Sequence, residues 1–334
     1  MKSPMCNRFF WWGAGLAPLA VLFFSLGTGR YNISLSTVYL ILRQGAVADP
    51  AAWLVINDVR LPRALMTLLA GASLSVCGCV LQGIFRNPLI GPQTIGVASG
   101  ASVGGAIAIV LTGVSATVMP ASFCGAALAL LIVLFLQKAD APQPTLTLVL
   151  AGIVVSAFCS GLVSAMTFIA DPETRLPGLV FWLLGSFATA SWDKLAVLTP
   201  CVMLCLSVLF LMRWRINLLS LGEDEARLLG AHPATDRLIV LTMVCVVVAA
   251  QVAVSGVIGW VGLIIPNLAR LIVGSDQRRL IPLCALFGAT FLTAADTAAR
   301  TVLAAEIPIG IVTALIGTPI FAIILRRQMS KAYS

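Results

Sequence analysis

The sequence predicts an all-α integral membrane protein of about ten transmembrane helices, on three observations. Of its 334 residues 60% are hydrophobic and only 10% charged, with a mean hydropathy of +1.03. A soluble chain carries roughly 25% charged residues. The apolar residues fall in long runs, against a requirement of about 20 residues to cross a bilayer as a helix. The cations behind the net charge of +8 sit in short clusters between those runs, not on a basic face. Membrane orientation explains that pattern better than nucleic-acid binding.

The first run, 9–26, exceeds the ~7–15 residues of a signal-peptide core and reads as a retained first helix. The second, 64–85, follows Pro62, a residue suited to a helix's first turn. In the third, 94–111, Gly96, Gly100 and Gly104 recur every four residues. That spacing lines one face with small residues for close helix packing; a nucleotide loop would need a preceding strand. Further runs cover 118–136, 146–169, 195–212, 238–254, 257–273, 280–298 and 307–325. The stretch LVFWLLGSFATASW (179–192) is too short to span and is broken by Gly185, so it reads as a re-entrant or interfacial helix. Ten spans put both termini on one side. With the termini inside, inner segments carry twice as many Lys and Arg as outer ones, which predicts cytoplasmic termini. The longest outer segment is about 27–63 and the longest inner one 213–237. A single transmembrane domain therefore fills 1–334.

Enzymatic chemistry finds no support. No G-x-x-x-x-G-K-[ST] phosphate loop occurs, and the one histidine, His232, has no catalytic partners in the pattern. Cys77 and Cys79 point to different sides of a helix, and Cys201 with Cys205 lacks further ligands for zinc. Transport or a scaffold remains. Four segments stand out against the apolar background. FRNPLIGPQTIGV (85–97) places Pro88 and Pro92 in a stiff, polar break between two helices. The inner loop 218–232 holds three consecutive acids and then apolar Leu228 and Leu229. It reads either as a solvated connector or as a surface helix that docks a partner. Asp296 and Arg300, four apart, can pair on one helix face, as a structural pair or as a functional one. Arg60 and Arg63 at the outer mouth of the second span read as membrane-edge anchors or as an outward-facing pair for a partner's carboxylates.

RLPRALMTLLAGASL, LQGIFRNPLIGPQTIGVASGA, LSLGEDEARLLG, SGVIGWVGLIIPNLARLIVGSDQRRLIP, AADTAAR and EIPIGIVTALIGTPIF follow in order from about residue 55 to 327. Together they resemble the FecCD-type permeases of bacterial ABC importers for iron-siderophores, heme and vitamin B12. The resemblance implies the ten-helix architecture of a type II ABC importer permease in the bacterial inner membrane. It also implies a second permease subunit, identical or paralogous, two cytoplasmic ATPase subunits, and a periplasmic or lipid-anchored substrate-binding protein. No cofactor is expected on this chain, because ATP is used by partner subunits. The cargo implied first is a ferric siderophore, with vitamin B12, heme or a molybdate-type oxyanion as alternatives. An ion-coupled secondary transporter using Asp296 is the reading from another class.

By the same resemblance, Arg60, Arg63 and Arg300 would dock the binding protein, and Leu221, Gly222, Ala226, Leu229 and Gly230 would contact the ATPase. Asn87 and Leu89 would form one side of an inner gate, with Thr145 and Leu146 on the other. The chain departs from the family pattern at Asn267, where histidine is common, at Trp260, where Phe is common, and at Gly91, where an acid is usual.

Overall fold

The computed structural model describes residues 8–29, 31–47, 49–137, 144–303 and 305–332, and it is helical with no strand among them. Each of the ten predicted runs contains a helix: α1 (Arg8–Gly27), α4 (Leu61–Ile84), α5 (Val97–Thr112), α6 (Val118–Leu136), α7 (Pro144–Ile169), α9 (Trp192–Leu211), α12 (Pro233–Ser255), α13 (Val261–Val273), α14 (Gln277–Ala299) and α15 (Ile309–Ala332). Between them lie the short helices α2 (Leu35–Gln44), α3 (Pro50–Leu54), α8 (Leu176–Leu183), α10 (Arg213–Leu221) and α11 (Glu223–Leu228). Among the described residues, seven of the long helices, or their continuations, reach at least 18 residues with span-like hydropathy.

Burial sorts these helices into an inner and an outer set. The apolar window through α4 is 78% buried and that of α12 72%, whereas α1, α7 and α9 are buried by under a third. Helices buried all round form the centre, and those apolar but exposed form the periphery of the subunit. Close packing at the centre depends on absent side chains. A Cβ at Gly71 of α4 would overlap the Gly288 carbonyl of α14, and one at Gly78 would overlap that of Gly262. Thr67 and Thr293 bond across the α4–α14 contact at 3.1 Å. The predicted glycine face holds at Gly100 and Gly104, which leave room for Gly125 and Ala121 of α6. Gly96 is not part of it: with φ of 86° it caps α5.

The segment 27–63, expected only as the longest outer one, is folded into α2, a short 3-10 turn, α3 and a π-helical stretch, Val55–Arg60, that runs on into α4. Ser34 caps α2, and Val38 and Ile41 turn inward to join Leu26, Ile33, Ala52 and Ile56 in a second apolar cluster. The predicted span 257–273 is helical only from Val261, since Gly256 and Trp260 hold positive φ of 70° and 68°. Non-helical backbone at membrane depth must be satisfied by protein. Here Ser186 N–H donates to the Ser255 carbonyl at 2.8 Å, and Ile309 N–H to that of Gly185 at 2.9 Å. The end of α8 thus interlocks with the end of α12 and the start of α15, within the short element expected at 179–192.

Candidate functional site

The break at 85–97 is a compact turn. Phe85 and Arg86 close α4, Arg86 with a left-handed φ of 50°. Asn87 turns its carboxamide oxygen back to accept the Leu89 N–H at 2.9 Å, so its side chain caps the turn. Leu89 is 48% exposed. Thr94 Oγ1 donates to the Gly91 carbonyl at 2.7 Å and closes the turn's second half. Leu146, 52% exposed, stands in the first turn of α7. The side chain of Thr145 lies outside the described residues.

A buried polar clamp holds this turn, and Asn267 is its centre. Asn267 is 1% exposed and donates through Nδ2 to the carbonyls of Pro88 (3.0 Å) and Leu263 (2.8 Å). Its Oδ1 accepts from Arg270 Nη1 at 3.0 Å, while Arg270 Nη2 donates to Gln82 Oε1 at 2.9 Å. α4, α13 and the turn are thereby joined through three side chains. Sequence reading marked Asn267 only as a departure; its signal was a carboxamide in an apolar run with a cation three residues on. Replacing it with Leu leaves the Pro88 carbonyl and Arg270 Nη1 without partners, a loss of about 1–3 kcal/mol. N267L should therefore melt at lower temperature than the wild type in detergent, and N267H, which keeps a donor, should melt close to it. An unchanged N267L midpoint would remove the clamp.

Beside the turn, a cavity of about 130 Å³ is lined by Leu74, Gly91, Gln93, Thr94, Trp260 and Leu263 among others, with no ionisable side chain. Gly91 has only Leu263 within 4 Å of a Cβ, at 3.8 Å, so its departure from the family pattern removes a charge without filling space.

The inner loop resolves into helix, glycine, helix, glycine. α10 ends at Gly222 (φ 141°), α11 follows, and Gly230 (φ 81°) ends the unit. Ala226 is fully buried with Leu218 and Ala231, which leaves Leu221 (55%), Leu228 (88%) and Leu229 (59%) exposed. Of the two readings left open, the structure has the short helix. Two of its three acids are engaged within the chain, Glu223 with Arg237 and, at 3.7 Å, with Arg227, and Asp224 with Arg227 at 4.0 Å. Asn217 fastens α10 to α14, donating to Asp276 Oδ1 at 2.7 Å and accepting the Gln277 N–H at 2.8 Å. The Asn217 bond holds the Asp276 carboxyl below its usual range. A Cβ at Gly222 would lie 3.5 Å from Arg86 Nη1, so the turn that ends α4 reaches the α10–α11 unit directly.

At the opposite end of α4 the three arginines are buried, at 4% for Arg60, 8% for Arg63 and 8% for Arg300. Of the two readings left open for Arg60 and Arg63, the outward-facing pair is not the arrangement found, since both turn inward. Arg60 donates to the carbonyls of Leu26 (2.6 Å), Gly27 (3.0 Å) and Tyr31, and Arg300 to the carbonyl of Ser25 and, at 2.7 Å, to its hydroxyl. Both satisfy the open carbonyls at the C-terminus of α1, the negative end of its dipole. Arg63 bonds Asp296 through Nε (3.0 Å) and Nη2 (2.9 Å), and Glu306 through Nη1 (3.1 Å). The expected Asp296–Arg300 pair is present but long, at 3.9 Å. Asp296, 2% exposed and held by Arg63, has no free edge for a carried ion. No group of three or more His, Cys, Asp or Glu among the described residues could hold a metal.

The model of the FecCD transport family matches residues 17–327. The molybdate import system permease protein MolB of Haemophilus influenzae is 46% identical over 90% of this chain and 90% of its own. A probable iron chelatin transport system permease protein of Helicobacter pylori is 42% identical over 82% and 83%. Among solved structures, a metal-chelate type ABC transporter in an inward-facing conformation superposes with a TM-score of 0.88 at 42% identity, covering 96% of this chain and all of that one.

Proposed function

Given that the chain belongs to the FecCD transport family and is a membrane permease of an ABC importer, we propose that it carries a metal chelate, a ferric siderophore first, from periplasm to cytoplasm. It works in the bacterial inner membrane with both termini cytoplasmic, which the two-to-one distribution of Lys and Arg supports. A second permease subunit, two ATPase subunits and a binding protein complete the machine, and ATP is used by the partners. The carrying observation is the uncharged cavity beside the clamped turn. A path lined throughout as this cavity is would have no strong site in which a bulky cargo is trapped, and would need force at a gate instead.

In this reading Leu89 and Leu146 narrow the inner end of the path, Asn87 shapes the turn, and Thr145 begins the facing helix. The segment 213–237 receives the ATPase stroke through the exposed Leu221 and Leu229 and the pivots Gly222 and Gly230. Ala226 keeps the unit rigid, and Arg86 passes its movement to the turn. Docking of the binding protein at Arg60, Arg63 and Arg300 would need those side chains to leave their internal partners. A molybdate-type oxyanion is the second reading, favoured by the 46% identity to a molybdate permease. Reconstituted with its ATPase and binding protein, the permease should take up a radiolabelled ferric siderophore only with ATP. Uptake of labelled molybdate alone would move the assignment to the second reading, and uptake of neither would remove both.

A further inference from the structure

We propose that the groove between α9 and α14 is a binding site for an acidic phospholipid, with an acyl chain in the groove and the phosphate at Arg213 and Arg278. The groove has a volume of about 570 Å³ and is lined by Leu206, Phe210 and Leu211 of α9 and Ile281, Ala285 and Leu286 of α14, over a floor at the buried Val76 of α4. That volume is within the about 300–1,000 Å³ typical of small-molecule sites. Its one hydroxyl, on Ser207, is already spent on the Met203 carbonyl at 2.7 Å. The lining thus offers a hydrocarbon chain contact and offers a polar solute nothing.

Cations crown one end only. α9 finishes there and α14 begins there, so Arg213 follows Leu211 by two residues and Arg278 precedes Ile281 by three. Each guanidinium is stacked on an aromatic ring, Arg213 on Phe210 and Arg278 on Trp214, both 4.2 Å from the centroid. Stacking fixes the planar group and leaves its N–H edge free for bidentate contact with a phosphate. Neither has a carboxylate within salt-bridge distance among the described residues. The acid on this rim, Asp276, is taken up by Asn217 and by the Arg278 backbone N–H (3.0 Å), and Arg279 adds a further exposed cation. Oriented cations at the polar end of an apolar groove between membrane helices are what an anionic headgroup requires.

The test uses the full chain in vesicles of equal phosphatidylglycerol and phosphatidylcholine, extracted gently and weighed by native mass spectrometry. Phosphatidylglycerol should be retained several-fold over phosphatidylcholine. R213Q/R278Q should lose that preference while still binding either lipid, and A285F, which fills the groove, should lower retention of both. Equal retention of the two lipids by the wild type would overturn the site, as would a preference that survives both variants. Absence of bound lipid together with cross-linking of a second permease copy across α9 would assign the groove to a subunit contact and overturn it as well.

Discussion

R63E is expected to unfold at a clearly lower temperature than the wild type, before any effect on transport is considered. Arg63 is the hub of a buried charge cluster, with the Nε–Nη2 edge of its guanidinium committed to Asp296 and Nη1 to Glu306. Removing one partner from a buried pair costs about 3–5 kcal/mol, because the other charge is left without compensation. A reversal adds a third carboxylate to the two already there. R63E/D296R should regain part of the loss by restoring opposite charges across the same contact. R43E, on an exposed cation near the end of α2, should melt like the wild type. A wild-type midpoint for R63E would show that the cluster does not hold the fold. Lost uptake in an arginine variant therefore reports on docking only when its unfolding transition is unchanged.

G222L should separate ATP hydrolysis from transport. At φ of 141° an L residue is strained by about 1–3 kcal/mol, and its Cβ would collide with the Glu225 carboxylate and press towards Arg86. The strain is confined to the α10–α11 unit, so the chain should still insert and still recruit its ATPase. In reconstituted vesicles, ATP turnover should persist while cargo uptake falls by more than ten-fold. G230A should be milder, because Gly230 has a positive φ but nothing within 4 Å of a Cβ. Normal uptake by G222L would show that this unit does not couple the two halves of the machine.

What could be read in advance followed from local pattern. A run of apolar residues needs no partner to declare itself, so every expected span holds a helix. The breaks at Pro88 and Gly185 were legible because both residues act on their own backbone. What escaped depends on distant pairing. Arg63 meets Asp296 across 233 positions, and Arg60 is consumed by backbone carbonyls that carry no sequence signal at all. An arginine at a helix mouth looks alike whether it faces a partner or caps a neighbour. Asn267 was visible only as an oddity, since its meaning lies in the Pro88 carbonyl that it holds. The helices in 27–63 escaped because α2 pairs a short apolar stripe with polar residues, a pattern too brief to exceed the background.

The continuity of α3, the π-helical segment and α4 has a mechanical consequence. From Pro50 to Ile84 the chain is one helical rod of 35 residues, fixed near one end by the arginine cluster and finishing at Arg86 against Gly222. Beyond the π-helical segment the shaft is 24 residues long, about 36 Å at 1.5 Å per residue, and π-helical irregularities are where helices yield. A tilt of about 5° at that hinge swings the far tip by about 3 Å, given the same rise per residue. That arc is close to the width of a carbon chain. Were the rod to pivot at that segment, the arginine cluster would be its fulcrum and Arg86, beside Gly222, the end that moves.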